Sequence, residues 1–230
     1  MNHGISNQIA LIEKLISFPT VSRDSNLELI DFVQKLLDSH HVESKIIHSD
    51  CGNKANLLAT IGPNETGGIV LSGHTDVVPI DGQDWHTDPF CVTEHSGRLH
   101  GRGTSDMKSF CAIALSLIPE MKSLKKPIHL AFSYDEEVGC LGTPGLIKLI
   151  QETVPLPLGV IVGAPTGMRV VTAHKGIAHF VTTVNGYEAH SSQQHRGVPA
   201  IMYAARLINW LAEKQNNNAK REDLDSGFEP

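Results

Sequence analysis

An α/β sandwich with its functional groups at the strand ends is the fold that this 230-residue sequence predicts. Three observations carry that expectation. Short apolar runs alternate along the chain with longer segments of helical periodicity, the pattern that builds a sheet covered by helices. Clusters of His, Asp and Glu stand beside those apolar runs, where α/β proteins place ligand-binding groups. The composition, 40% apolar and 19% charged, is that of an ordinary globular protein with ample residues to bury a core.

Ile9, Ile12, Leu15 and Ile16 recur at helical spacing and predict a first helix from about Asn7 to Ser17, stopped ahead of Pro19. Leu29, Ile30, Val33, Leu36 and Leu37 share one face of a second helix, Leu27 to His40. Asn56–Ile61 and Ile69–Ser72 read as strands separated by the turn at Gly62-Pro63-Asn64. An apolar helix is expected over Met107–Leu117 and a strand over Ile128–Tyr134. Thr143-Pro144 reads as an N-cap with proline in the first turn, opening a helix through Ile150. Val160–Val162 reads as a short buried strand leading into Gly163-Ala164-Pro165-Thr166.

The pattern then changes. Gly176–Val184 alternates like a half-exposed strand, and Val198–Gln215 is one long amphipathic helix, the beginning of a smaller α+β domain. The expected division is a catalytic domain over residues 1–173 and part of a dimerisation or lid domain over 174–230. That second domain is too short to close a sheet of its own, so the chain is expected to be part of a longer one.

The bulk numbers exclude several classes. A formal charge of −6 and the lack of Lys or Arg runs argue against nucleic acid as a partner. The N-terminus has neither a basic n-region nor a continuous apolar stretch, so no signal peptide or membrane span is expected, and the cytoplasm is the default location. Cys51, Cys91, Cys111 and Cys140 are dispersed, which reads as reduced, mostly buried thiols rather than a disulfide frame.

Three clusters carry chemistry. In His74-Thr75-Asp76 an extended backbone points both ionisable side chains to one side, so His74 can bind a metal while Asp76 orients its ring. Asp106, at a helix start, can offer both carboxylate oxygens and bridge two ions. Glu137 would bind the second ion, and its neighbour Glu136 would act as the general base toward water. Together these residues suggest hydrolysis by a zinc-activated water. Solvated loop acids and a satisfied core histidine are the bland alternative for any one cluster. Three clusters, each at a strand or helix end, outweigh it.

The chain resembles the M20 family of di-zinc amidohydrolases and peptidases, and within it the acetylornithine deacetylases. The matching stretches are Ser72-Gly73-His74-Thr75-Asp76-Val77-Val78-Pro79, Asp84-Trp85 with Asp88-Pro89-Phe90, and Gly101-Arg102-Gly103-Thr104-Ser105-Asp106-Met107-Lys108. Asp135-Glu136-Glu137-Val138-Gly139, His174-Lys175-Gly176 and Gly186-Tyr187-Glu188-Ala189-His190-Ser191-Ser192 complete the set. The resemblance implies a zinc-peptidase-type sandwich with a mixed sheet. It implies two zinc ions, with cobalt as a possible substitute, on His74, Asp106 and Glu137, with Glu136 as base and later proton donor. His190 would match a histidine that reaches into the partner subunit of a homodimer to stabilise the oxyanion. The implied activity is a zinc-dependent amidohydrolase acting on an N-acyl amino acid, with N-acetylornithine giving ornithine and acetate for arginine synthesis. A dipeptidase, aminoacylase or desuccinylase on the same scaffold is the alternative enzyme, and a catalytically dead pseudoenzyme the alternative from another class. Two departures weigh on this. Where the family pattern reads Gly-Glu-Pro-Thr, its acid a zinc ligand, this chain has Gly163-Ala164-Pro165-Thr166. Members also continue well past residue 230 and supply one more histidine ligand there.

Overall fold

A computed structural model describes residues 2–220. By its contacts the chain divides into two compact units, Met1–Met168 and Arg169–Pro230. The first unit is built on a five-stranded sheet in the order β1-β2-β6-β3-β7. Its strands are β1 (Ser44–His48), β2 (Ala55–Ile61), β3 (Ile69–His74), β6 (Ile128–Ser133) and β7 (Gly159–Val162). β1 and β2 pair antiparallel, as do β2 and β6, whereas β3 runs parallel to both β6 and β7. The sheet is therefore mixed. Its three parallel strands end on one edge, where His74 faces Ser133 in register. A separate hairpin of β4 (Thr93–His95) and β5 (Arg98–His100) turns at Ser96-Gly97, both in the left-handed region that a tight two-residue hairpin needs.

The period-two alternation of the strands explains the layers. Leu57, Ala59 and Ile61 of β2, with Leu130 and Phe132 of β6, belong to one core. That core also takes Ile12, Leu15 and Ile16 of α1 (Asn2–Ile16), Leu29, Val33 and Leu37 of α2 (Leu27–Ser39), and Cys111 and Leu115 of α3 (Lys108–Ser116). Leu58 and Ala131, one residue out of phase, pack with Val70 and with Leu146 of α4 (Thr143–Thr153). Three helices thus cover one face of the sheet and one helix the other, the sandwich expected of the pattern.

Four local expectations need correction. Val160, Ile161 and Val162 are 57%, 52% and 64% exposed rather than buried, because β7 is the sheet's edge and, among the described residues, pairs only with β3. Three consecutive apolar residues resemble a fully covered strand, and only topology says which strand ends the sheet. The cap of α4 is Gly142, already in helical conformation, and Thr143 is the first helical residue. Gly142 is fixed there by close approach, since a Cβ would lie 2.7 Å from both Asn56 Oδ1 and the Tyr134 carbonyl. Of the four cysteines only Cys111, facing the core, is buried; Cys51, Cys91 and Cys140 are exposed. Finally, residues 176–184 form no strand. An isolated strand leaves its backbone groups unpaired, and no ladder forms beside it among the described residues.

Among its described residues the second unit contains one β-bridge, Tyr187 to Val198, a 3-10 turn at Ser191–Arg196, and α5 (Ala200–Asn218). α5 is amphipathic as expected, yet Ile201, Trp210 and Leu211 on it are exposed.

Candidate metal centre

His74 is the last residue of β3 and only 4% exposed. The preceding Gly73 lets β3 lie tightly on α3, because a Cβ there would meet Cys111 Sγ at 2.6 Å and Met107 Cε at 2.9 Å. That close approach brings the start of α3, and with it Asp106, to the end of β3. The Asp106–Met107 peptide bond is cis.

The His74 ring is held from behind. Its Nδ1–H donates to the Asp76 carbonyl at 2.9 Å and lies 3.3 Å from Asp76 Oδ1. A carbonyl oxygen can only accept, so this bond places a proton on Nδ1 and turns Nε2 toward the cleft. There Nε2 lies 3.1 Å from Asp106 Oδ1 and 3.9 Å from Glu136 Oε2. Donor atoms of His74, Asp106 and Glu137 all fall within 4.8 Å of one another. The three clusters, separated in sequence by up to 63 positions (137 − 74), meet at the carboxyl ends of β3 and β6 and the start of α3.

Asp76 ties the arrangement together. Besides facing the imidazole, its carboxylate accepts the Ser22 hydroxyl at 2.7 Å, the Glu136 amide at 3.1 Å and the Glu137 amide at 3.3 Å. Burial pushes this carboxyl up, but the bonds from His74, Ser22 and the Glu136 amide hold it below the usual range. Burial likewise opposes a charged His74 ring, yet Asp76 and Glu136 outweigh it and raise the imidazole to about 9. Glu137 is pushed up by burial and then by the charge of Asp106. Crowded carboxylates that protonate or recruit an imidazolium lack positive charge, and a divalent cation supplies it. The donor set of one imidazole nitrogen and carboxylate oxygens suits zinc. The residues present therefore fit a metal.

A cleft of about 250 Å³ opens over these groups, with Gly73, His74, Asp106, Glu136, Cys140 and Ala164 in its lining. Ala164 brings a methyl group, which has no lone pair to give. Lys108, two residues after Asp106, is wholly buried, donates to the Phe18 carbonyl at 2.7 Å, and is held down to about 7 by burial. His190 belongs to the second unit, where it is exposed, caps the 3-10 turn by accepting from the Ser192 amide at 3.2 Å, and shares a hydrogen bond with the Ser192 hydroxyl.

Residues 70–227 match the model of peptidase family M20/M25/M40. The chain belongs to that family. An acetylornithine deacetylase of Shigella sonnei (strain Ss046) is 40% identical over 172 residues, which are 74% of this chain and 44% of that protein. This M20 chain therefore spans under half the length of that curated relative. An M20 metallo-carboxypeptidase, Sso-CP2 of Sulfolobus solfataricus, superposes with a TM-score of 0.56 at 21% identity, over 71% of this chain and 37% of its own. Human carnosine dipeptidase 1 gives 0.54 at 22% identity, over 64% and 36%. At those identities the two structures speak for the M20 fold of this chain alone.

Ser22, Lys54 and Cys140 were not singled out from the sequence. Ser22 and Lys54 act across more than 50 positions of chain, and no local pattern marks them. Cys140 follows the Glu136-Glu137 motif by three residues, and its Sγ lies 3.8 Å from Glu136 Oε1; that proximity to the motif was the available signal.

Proposed function

We propose that this chain carries the metal-holding part of a zinc-dependent amidohydrolase that cleaves the amide bond of an N-acyl amino acid, with N-acetylornithine as the substrate. The observation that carries it is the convergence of His74, Asp106 and Glu137 donor atoms within 4.8 Å, with Asp76 behind the imidazole. His74 and Asp106 would hold one ion, Asp106 and Glu137 a second, with zinc or cobalt in the sites. Bound metal would supply polarisation of the acyl carbonyl and a lowered pKa for water. Glu136, lining the cleft 3.9 Å from His74 Nε2, would serve as general base toward an attacking water and then as proton donor to the leaving amine. Asp76 keeps the imidazole oriented throughout. The products would be acetate and ornithine, a step of arginine synthesis in the cytoplasm. Residues 174–230 would begin a dimerisation or lid domain, with His190 acting on the oxyanion in a partner's site.

Zinc retained per chain after loading and exhaustive dialysis tests the reading. At least one ion is expected. Retention near zero would sink it and leave a relic site. Hydrolysis of a panel of N-acyl amino acids then reads specificity, and turnover of another substrate without N-acetylornithine would move the assignment to a dipeptidase, aminoacylase or desuccinylase.

Ala164 favours a second reading, a pseudoenzyme that binds metal weakly. Catalytic zinc normally takes about three protein ligands plus water. Under this reading Ala164→Glu tightens zinc binding in the same dialysis assay without needing any change of fold.

A further inference from the structure

Behind the metal centre lies a nearly buried ion pair that the proposed chemistry does not use. Lys54 Nζ stands 2.5 Å from Asp135 Oδ1, with side chains 12% and 9% exposed. The same ammonium donates to the carbonyl of Ser22. Removing two charges from water is unfavourable unless geometry and further hydrogen bonds offset it, so a pair of this kind asks for a role.

Its neighbours supply one. Asp135 has φ +56°, in the left-handed region that side-chain-bearing residues seldom adopt. The two residues that follow are Glu136 and Glu137, whose amides donate to Asp76 at 3.1 and 3.3 Å. Ser22, whose carbonyl takes the other Lys54 bond, donates its hydroxyl to the same Asp76 carboxylate at 2.7 Å. Lys54 thus holds both segments whose groups converge on Asp76: the 135–137 turn on one side and Ser22 on the other. Asp76 in turn fixes the His74 ring.

We propose that Lys54 is a positioning residue for the metal centre, clamping Asp135 and Ser22 so that the Glu136-Glu137 turn and Asp76 stay in register. Its consequence for metal binding rests on the metallohydrolase reading; the clamp itself is a property of the metal-free chain.

The two are separable by experiment. In the metal-free full chain, amide hydrogen exchange followed by NMR is compared for the wild type, Lys54→Met and Lys54→Arg. Losing the clamp in Lys54→Met is expected to speed exchange at Glu136 and Glu137 by about tenfold or more, while Leu130 and Phe132 in β6 stay within about twofold. Lys54→Arg, still cationic, restores most of the protection. Should Lys54→Met fold poorly, Asp135→Asn keeps a side chain that tolerates positive φ but removes the charge, and the same local pattern is expected. In zinc titrations Lys54→Met weakens binding by about 10–100-fold, the range seen when groups supporting metal ligands are lost. Unchanged exchange at Glu136 and Glu137, or equal acceleration across β6, would overturn the clamp, the latter making Lys54 a general staple of the sheet. If the amides respond as expected but the wild type holds no zinc, the clamp stands and the metallohydrolase reading fails.

Discussion

Asp76 shows how much one side chain can organise. Four groups converge on its carboxylate: the His74 ring, the Ser22 hydroxyl and the amides of Glu136 and Glu137. Replacing it by Asn turns an acceptor into a donor on one side, so an amide would face the amides of the 136–137 turn. Asp76→Asn is expected to weaken zinc binding by about 10–100-fold with little loss of fold, read by competition titration against a chromogenic chelator. Binding as tight as the wild type would show that the Asp76 carbonyl alone orients His74. The pairing of His74 with Asp76 was legible in the sequence because it is local: two residues apart on an extended backbone. Ser22 and Lys54 were not, because their partners lie 54 and 81 positions away and depend on how the sheet folds.

At the scale of elements, α4 shows what holds one helix to an otherwise open face. Its one fully buried side chain is Leu146, which packs with Leu58, Val70 and Ala131. Leu146→Ala should lower the unfolding free energy by about 2–5 kcal/mol in urea titrations, through lost transfer energy and the cavity left behind. Leu156→Ala, at an exposed position, should change it by no more than about 0.5 kcal/mol. A small effect at Leu146 would mean that α4 settles onto the sheet to fill the gap. The long periodic elements, α1, α2, α3, β2 and β6, were readable because hydrophobic period follows directly from which face is covered. β1 (Ser44–His48) and the β4–β5 hairpin escaped notice: they are short, and β4 and β5 carry charged and histidine residues. The opposite error at residues 176–184 has the same root, since alternation is compatible with a strand but only pairing with a neighbouring strand makes one.

At the scale of the whole molecule, Lys108 couples stability to pH. Burial holds it at about 7 in the folded chain, against 10.5 for a free lysine. Between those values the unfolded chain binds the extra proton, so stability rises with pH across that window. Below pH 7 the amine is charged in both states and the burial penalty is fully present. In chelator-treated protein, Lys108→Met should therefore raise the urea midpoint at pH 6.5, with an advantage that shrinks by pH 9. An advantage that is constant with pH would show that Lys108 is charged in the folded state throughout. The sequence by itself determined the fold class, the order of the main elements and the residues of the three acidic and histidine clusters, because periodicity and chemical type are local properties of the chain. Only the tertiary structure decided that β7 is an exposed edge, that three distant donors stand within 4.8 Å, and that Lys54, Ser22 and Asp76 brace them. Those facts depend on which strands pair and in which direction, and pairing joins residues that no local pattern connects.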